Sequence, residues 1–224
     1  MPLTVEICVE GLPAALAAGQ GGADRIELCS HLAVGGVTPG PGAIAEACQR
    51  LHIPVHVLVR PRGGDFVYSA LELAEMVRDV AYAREAGADG VVLGCLTPEN
   101  TIDRLHLREL IQAAQPLSIT FHKAFDQVVN PVQALETLVE LGVNRILTSG
   151  RGKPARDDLP LLAELVHAAA GRLVILAGGS ITPADFPALA AAGLHEVHLG
   201  SAACLDGQTS AQAVAQIMDQ AGRF

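Results

Sequence analysis

The sequence predicts an α/β protein, a single (β/α)₈ barrel of the TIM type over residues 1–224. Three observations lead there. Strand-like apolar runs alternate with helix-like stretches along the whole chain, which implies parallel strands joined by crossovers. A short pattern recurs, in which a helix rich in alanine or leucine stops at a glycine and a strand follows. It reads Gly22-Ala23-Asp24-Arg25-Ile26, Gly87-Ala88-Asp89-Gly90-Val91, Gly142-Val143-Asn144-Arg145-Ile146 and Gly193-Leu194-His195-Glu196-Val197. The length of 224 residues, with no long linker, suits one domain. An open doubly wound sheet is the alternative, and the even spacing of the repeats favours the closed ring.

Taken in order, strands are predicted near 3–9, 25–29, 54–60, 90–95, 117–122, 145–149, 173–178 and 196–200. Helices are predicted near 12–20, 41–50, 69–86, 103–114, 131–141, 158–170, 183–192 and 209–221. The first strand, LTVEICV, alternates with period two. The third helix places Leu73, Met76, Val77 and Val80 on one face. Asn130-Pro131 and Thr182-Pro183 each set a capping side chain before a proline at the first helical position. Glycines after the helices are stops, because glycine enters the left-handed region cheaply.

Composition narrows the function. Fifteen basic against 24 acidic residues give a net charge of −9, which argues against a nucleic-acid partner. No apolar run is long enough to span a membrane, and the N-terminus has no basic region typical of a signal peptide. Five cysteines with no C-x-x-C pair argue against a disulfide framework or a local zinc site. Reduced thiols in a cytoplasmic protein fit best.

In a barrel one strand face packs on helices and the other fills the lumen. If the aliphatic residues face out, then Glu6 and Cys8, Arg25, Glu27 and Cys29, His56, Leu58 and Arg60, Thr120 and His122, and Glu196 and His198 all face in. Such a lumen is unusually polar, and unpaired burial would cost each group several kcal/mol, so the groups must find partners. Glu6, Glu27, Arg25 and Arg60 are expected to neutralise one another. A structural ion network at the barrel base is one reading for Glu6, Arg25 and Glu196.

Active sites of this fold lie at the strand C-termini. There the sequence offers PVHVLVRPRGGDF, with Arg60, Arg62 and Asp65 suited to holding an anion. It also offers His122 and Asp126 as acid–base partners, with Glu27 as a further acid–base candidate. Gly178-Gly179 and Gly200-Ser201 follow the last two strands, where barrels commonly grip phosphate; tight turns are the alternative. Ser149 adds a donor, followed by Arg151 and Lys153. Cys8 and Cys29 end adjacent strands with the same parity and could hold a soft ion, Cu(I) above all.

The chain also resembles the CutC family. The resemblance is carried by GGADRIELC (21–29), GGVTPG (35–40), IPVHVLVRPRGGDFVYS (53–69), TFHKAFD (120–126), RILTSG (145–150) and EVHLGSA (196–202). It implies a cytoplasmic barrel, a homodimer or larger homo-oligomer, and by the family's name a part in copper homeostasis. The positions it carries over are Glu6, Glu27, Cys29, His56, Arg60, Arg62, Asp65, His122, Asp126, Ser149 and His198. Lys123 stands where arginine is common in the family, and Gly200 where serine is frequent. Two functions follow as expectations: Cu(I) binding or indirect copper handling, and acid–base catalysis on a small anionic, for instance phosphorylated, metabolite.

Overall fold

The structure is a computed structural model that describes residues 2–151 and 154–222. Eight parallel strands close into a ring in sequence order. They are β1 (Thr4–Glu10), β2 (Arg25–Cys29), β3 (Val55–Leu58), β4 (Gly90–Leu93), β5 (Ser118–Phe121), β6 (Arg145–Thr148), β7 (Val174–Gly178) and β8 (Glu196–Leu199). Around them lie α1 (Gly11–Gln20), α2 (Pro41–Arg50), α3 (Ala70–Glu85), α4 (Arg104–Ala114), α5 (Pro131–Glu140), α6 (Leu159–Ala169), α7 (Phe186–Ala191) and α8 (Ala211–Ala221). The predicted (β/α)₈ barrel is the observed fold. Between β8 and α8 the structure adds a hairpin, β9 (Cys204–Leu205) with β10 (Gln208–Thr209), which the sequence reading merged into the last loop and helix. Two-residue strands are too short to give a periodic signal.

The recurring glycine pattern has a physical cause. Gly22, Gly87, Gly142 and Gly193 all have φ between +80° and +87°, the left-handed turn that ends each helix. Two residues later the acidic or amide side chain fastens the neighbouring strand. Asp24 Oδ2 accepts from the Val5 amide at 2.7 Å, Asp89 Oδ2 from Val55 at 2.8 Å, and Asn144 Oδ1 from Ile119 at 2.8 Å. The first three of the four repeats thus stop a helix and fasten the strand next to the one they start. Asn130 caps α5 as its sequence predicts, and Ser69 and Glu72 form a reciprocal cap on α3.

The predicted alternation of faces holds around the ring. Val5, Ile7, Val9, Ile26, Leu28, Val57, Val91, Ile119, Phe121, Val197 and Leu199 join the core between strands and helices. Cys8, Cys29, Leu58 and Val92 form a separate apolar cluster inside the ring. β4 and the residue after it each contribute a glycine to that interior. A Cβ on Gly90 would lie 2.6 Å from the His56 ring, and one on Gly94 2.7 Å from the His122 ring. Both imidazoles occupy space that a side chain at Gly90 or Gly94 would fill. Gly90→Ala is therefore expected to cost ~1–3 kcal/mol, because the buried His56 ring must shift. Urea unfolding measures it, and a stability within 0.5 kcal/mol of wild type, the usual span of a harmless surface change, would contradict the packing argument.

Candidate functional site

The lower lumen holds a continuous ion network. Glu6, on β1 and fully buried, accepts from Arg25 Nε at 2.5 Å and from His198 Nδ1 at 2.7 Å. Arg25 also reaches Glu196 at 2.7 Å, Glu196 pairs with Arg145 Nε at 2.8 Å, and Arg145 donates to Ser118 Oγ at 2.9 Å. The register dictates this, since Glu6 lies beside Arg25 on β2 and beside His198 on β8. Burial alone would raise the Glu6 carboxyl, but the His198 hydrogen bond and the Arg25 charge outweigh it and hold the group far below the carboxylate range. His56 Nδ1 lies 3.9 Å from Glu6 with no hydrogen-bond partner among the described residues. Burial lowers its pKa to about 4, against the pull of Glu6, so it is neutral.

One layer up, the chemistry changes. Cys8 Sγ lies 3.5 Å from Glu27 Oε1 and 3.9 Å from Cys29 Sγ. Cys8, Glu27 and His198 each offer a ligand atom, all within 4.8 Å of one another. The hydrogen bond with Cys29, burial and the Glu27 charge push the Cys8 thiol well above its ordinary value. Burial raises Glu27, which the charge of His198 opposes. Burial disfavours the His198 imidazolium, but the Glu27 charge and the Glu6 hydrogen bond win and raise its pKa. Glu6 fixes Nδ1 as the donor, so Nε2 is the nitrogen left for a ligand.

These groups border a cavity of about 160 Å³ at the upper end of the ring, which Arg60, His122 and Lys123 also line. Leu58, Phe66 and Leu147 form its apolar wall. His122 is held by the turn that follows β5. Its Nδ1 accepts the Ala124 amide at 3.2 Å, which leaves the proton on Nε2. Burial, then the Arg60 charge, lowers its pKa to about 3. Phe66 stacks 4.7 Å from the His122 ring and 4.8 Å from the Arg60 guanidinium.

Several sequence expectations need correction here. Arg60 does not join the ion network; three of its N–H bonds are used by loop carbonyls, and its buried Nε has no partner among the described residues. Nη1 donates to the carbonyls of Val34 and Gly36, and Nη2 to Gly64, so the side chain ties two loops together. Arg62 and Asp65 pair with each other at 3.1 Å on the outer rim, where Arg62 also binds Glu72 at 2.5 Å and stacks on Tyr68. Asp126 is not the partner of His122. It accepts from Thr148 Oγ1 at 2.5 Å and from the Ser149 amide and hydroxyl at 3.0 and 2.6 Å, and it lies 3.5 Å from Lys123. Its role is to fasten the β5 and β6 loops together.

The glycine turns have packing and loop-fastening roles of their own. Gly178 is needed for packing, since a Cβ there would lie 2.5 Å from Leu147. Gly179, at φ +112°, accepts from the Ala155 amide, and the Thr182 amide is taken by Asp185. Ser201 is exposed in a separate cleft bordered by Cys8, Glu10 and Cys204. Lys153 lies outside the described residues. Sequence reasoning missed Phe66, Lys123 and Gly94 as parts of the site. Gly94 was detectable, because it shares the inward parity of Gly90 and Val92.

A sequence profile described as the CutC family matches residues 3–203. The chain is 46% identical over 202 residues to a family protein CutC of Mesorhizobium japonicum, covering 90% of this chain and 78% of that one. It is 48% identical over 178 residues to the human protein named copper homeostasis protein cutC homolog, covering 80% of this chain and 65% of that one. A solved CutC structure from Streptococcus agalactiae superposes with a TM-score of 0.85 at 38% identity, covering 90% of this chain and 99% of that one. Phosphoribosyl anthranilate isomerase from Thermococcus kodakaraensis gives a TM-score of 0.66 at 16% identity over the full length of both chains, a likeness of fold alone.

Proposed function

The chain belongs to the CutC family, and from that premise we propose that it serves copper homeostasis by binding Cu(I) between the thiols of Cys8 and Cys29. The observation that supports this most is the 3.9 Å separation of the two sulfurs. Metal–sulfur bonds of ~2.3 Å opened to a trigonal angle put two sulfurs roughly 4 Å apart. The donor type suits the ion, because soft thiolates select Cu(I). Leu58 and Val92 pack against the pair and keep water away. Glu27 and His198 stand within reach as a third ligand. All five cysteines are free, as a reducing cytoplasm would keep them. No helix among the described residues is long and apolar enough to cross a membrane. A homodimer or larger homo-oligomer completes the proposal.

Titrating the reduced protein with Cu(I) against a chromophoric chelator tests it. One equivalent is expected per chain, weakened at least ~100-fold in Cys8→Ser and in Cys29→Ser. Affinity should rise with pH, because the strongly protonated Cys8 thiol must release its proton to bind. Unchanged stoichiometry and affinity in the double variant would end this proposal.

A second reading is that of a barrel enzyme acting by acid–base chemistry on a small anionic metabolite. It is favoured by three buried atoms, on residues lining the same cavity, that lack partners among the described residues: Glu27 Oε2, Arg60 Nε and His122 Nε2.

A further inference from the structure

The cavity at the upper end of the barrel sets an acceptor and a donor around one small space. Glu27 is 6% exposed, and its Oε2 has no hydrogen-bond partner among the described residues. Its other oxygen has only the weak Cys8 thiol donor at 3.5 Å. The ion network below does not use this carboxylate, since Glu6 already pairs with Arg25 and His198. A buried carboxylate oxygen with no donor is costly, and a fold keeps one where a ligand or a reaction uses it.

His122 is the complement. It is 5% exposed and its Nε2 also lacks a partner among the described residues. The Ala124 amide occupies Nδ1, so Nε2 carries the hydrogen and can only donate. With a pKa lowered to about 3, the ring is a neutral donor at every physiological pH. A neutral imidazole that cannot take up a proton suits an oxygen on which negative charge develops, and serves poorly as a base.

An unpartnered acceptor and an unpartnered neutral donor at one cavity, with the Arg60 Nε as a cationic donor beside them, match proton removal from a carbon next to a carbonyl. We propose that this cavity enolises a small α-hydroxy ketone or aldehyde bearing one terminal anionic group, with Glu27 as the base and His122 Nε2–H as the donor to the carbonyl oxygen. This rests on the second reading above. The α C–H bond breaks and its proton goes to Glu27; the freed pair forms the carbon–carbon double bond of the enolate. The carbonyl π pair moves onto oxygen, which His122 stabilises by hydrogen bonding. Return of the proton from Glu27 restores the carbonyl, and no oxidant or reductant is needed. Lys123, partly exposed at the cavity and 3.5 Å from Asp126, is the side chain placed to meet the anionic end. The space, about 160 Å³, holds the volume of roughly five waters and so sets the scale of a triose.

Incubation with dihydroxyacetone phosphate in deuterium oxide, followed by proton NMR, tests the proposal. The α-proton signal should disappear faster than in buffer, with the rate falling ~100-fold or more in Glu27→Gln and in His122→Gln. Lys123→Gln, an exposed change that leaves the core untouched, should raise KM with little change in kcat. Exchange should persist in the reduced protein held with an excess of the Cu(I) chelator, which separates this activity from copper binding. Thermal shift with glycerol 3-phosphate, which has the anion but no carbonyl, reports binding alone. A glycerol 3-phosphate shift without ketone exchange would overturn enolisation while supporting the small-anion reading. Neither shift nor exchange would overturn both. Exchange at the wild-type rate in folded Glu27→Gln would overturn the assigned base.

Discussion

Glu6→Gln is expected to destabilise the folded chain by ~3–5 kcal/mol, although the two side chains have nearly the same shape. The carboxylate is wholly buried and serves two donors, Arg25 from β2 and His198 from β8. Glutamine keeps the volume and removes the charge. Arg25 then faces only Glu196, which it shares with Arg145, so the lower lumen carries an excess of positive charge. Burying uncompensated charge costs far more than losing a hydrogen bond. For a chain of this size the loss corresponds to a fall in Tm of roughly 10 °C. Urea unfolding at neutral pH measures it. A paired control identifies the cause: Glu6→Met with Arg25→Met removes both charges and should recover stability relative to the sum of the singles by more than ~1 kcal/mol. Strict additivity would mean that the pair does not interact.

The second large effect is on the acid side. His56 and His122 are neutral when folded, with pKa values lowered from 6.5 to about 4 and about 3, burial being the main cause in each. Once unfolded, both become protonated below pH 6.5, so unfolding takes up protons. Stability is therefore complete above pH 6.5 and is lost as pH falls through that value toward about 4. Each proton contributes ~1.4 kcal/mol per pH unit, so the pair gives a slope approaching ~2.7. His198 acts in the opposite direction. Its raised pKa gives stability that is present below its unfolded value and lost as pH rises through the folded one. Unfolding free energies measured between pH 7 and 4.5 should show the two-proton slope, and His122→Gln should remove about half of it. A flat profile across that interval would mean that the two rings are not held neutral.

Much of this was legible from the chain. Period-two alternation in TVEICV and RIELC was enough to turn Glu6, Cys8, Arg25, Glu27 and Cys29 inward, because the outer face must meet helices. The Gly-Ala-Asp repeat marked each helix stop, although its second task, capping a neighbouring strand, needs the register to be seen. The upper rim was less legible. Arg60 and Arg62 looked like anion holders because a charge at a strand end carries no sign of its partner. Those partners are loop carbonyls such as Val34 and Gly36, placed by a fold of the backbone that no local pattern encodes. Asp126, four residues after His122, suggested a pair. The short 3₁₀ turn of Lys123–Gln127 carries it to Thr148 and Ser149 instead.

The Glu6 junction also bears on how the ring assembles. Its counter-charges arrive from sequence positions 19 and 192 residues away, the second only when the last strand docks against the first. A half-built ring, open at that seam, leaves His198 apart from its carboxylate and the mouth above it unformed. Closure and the creation of the pocket are thus one event, and the appearance of the native His198 ring signal during refolding would time it.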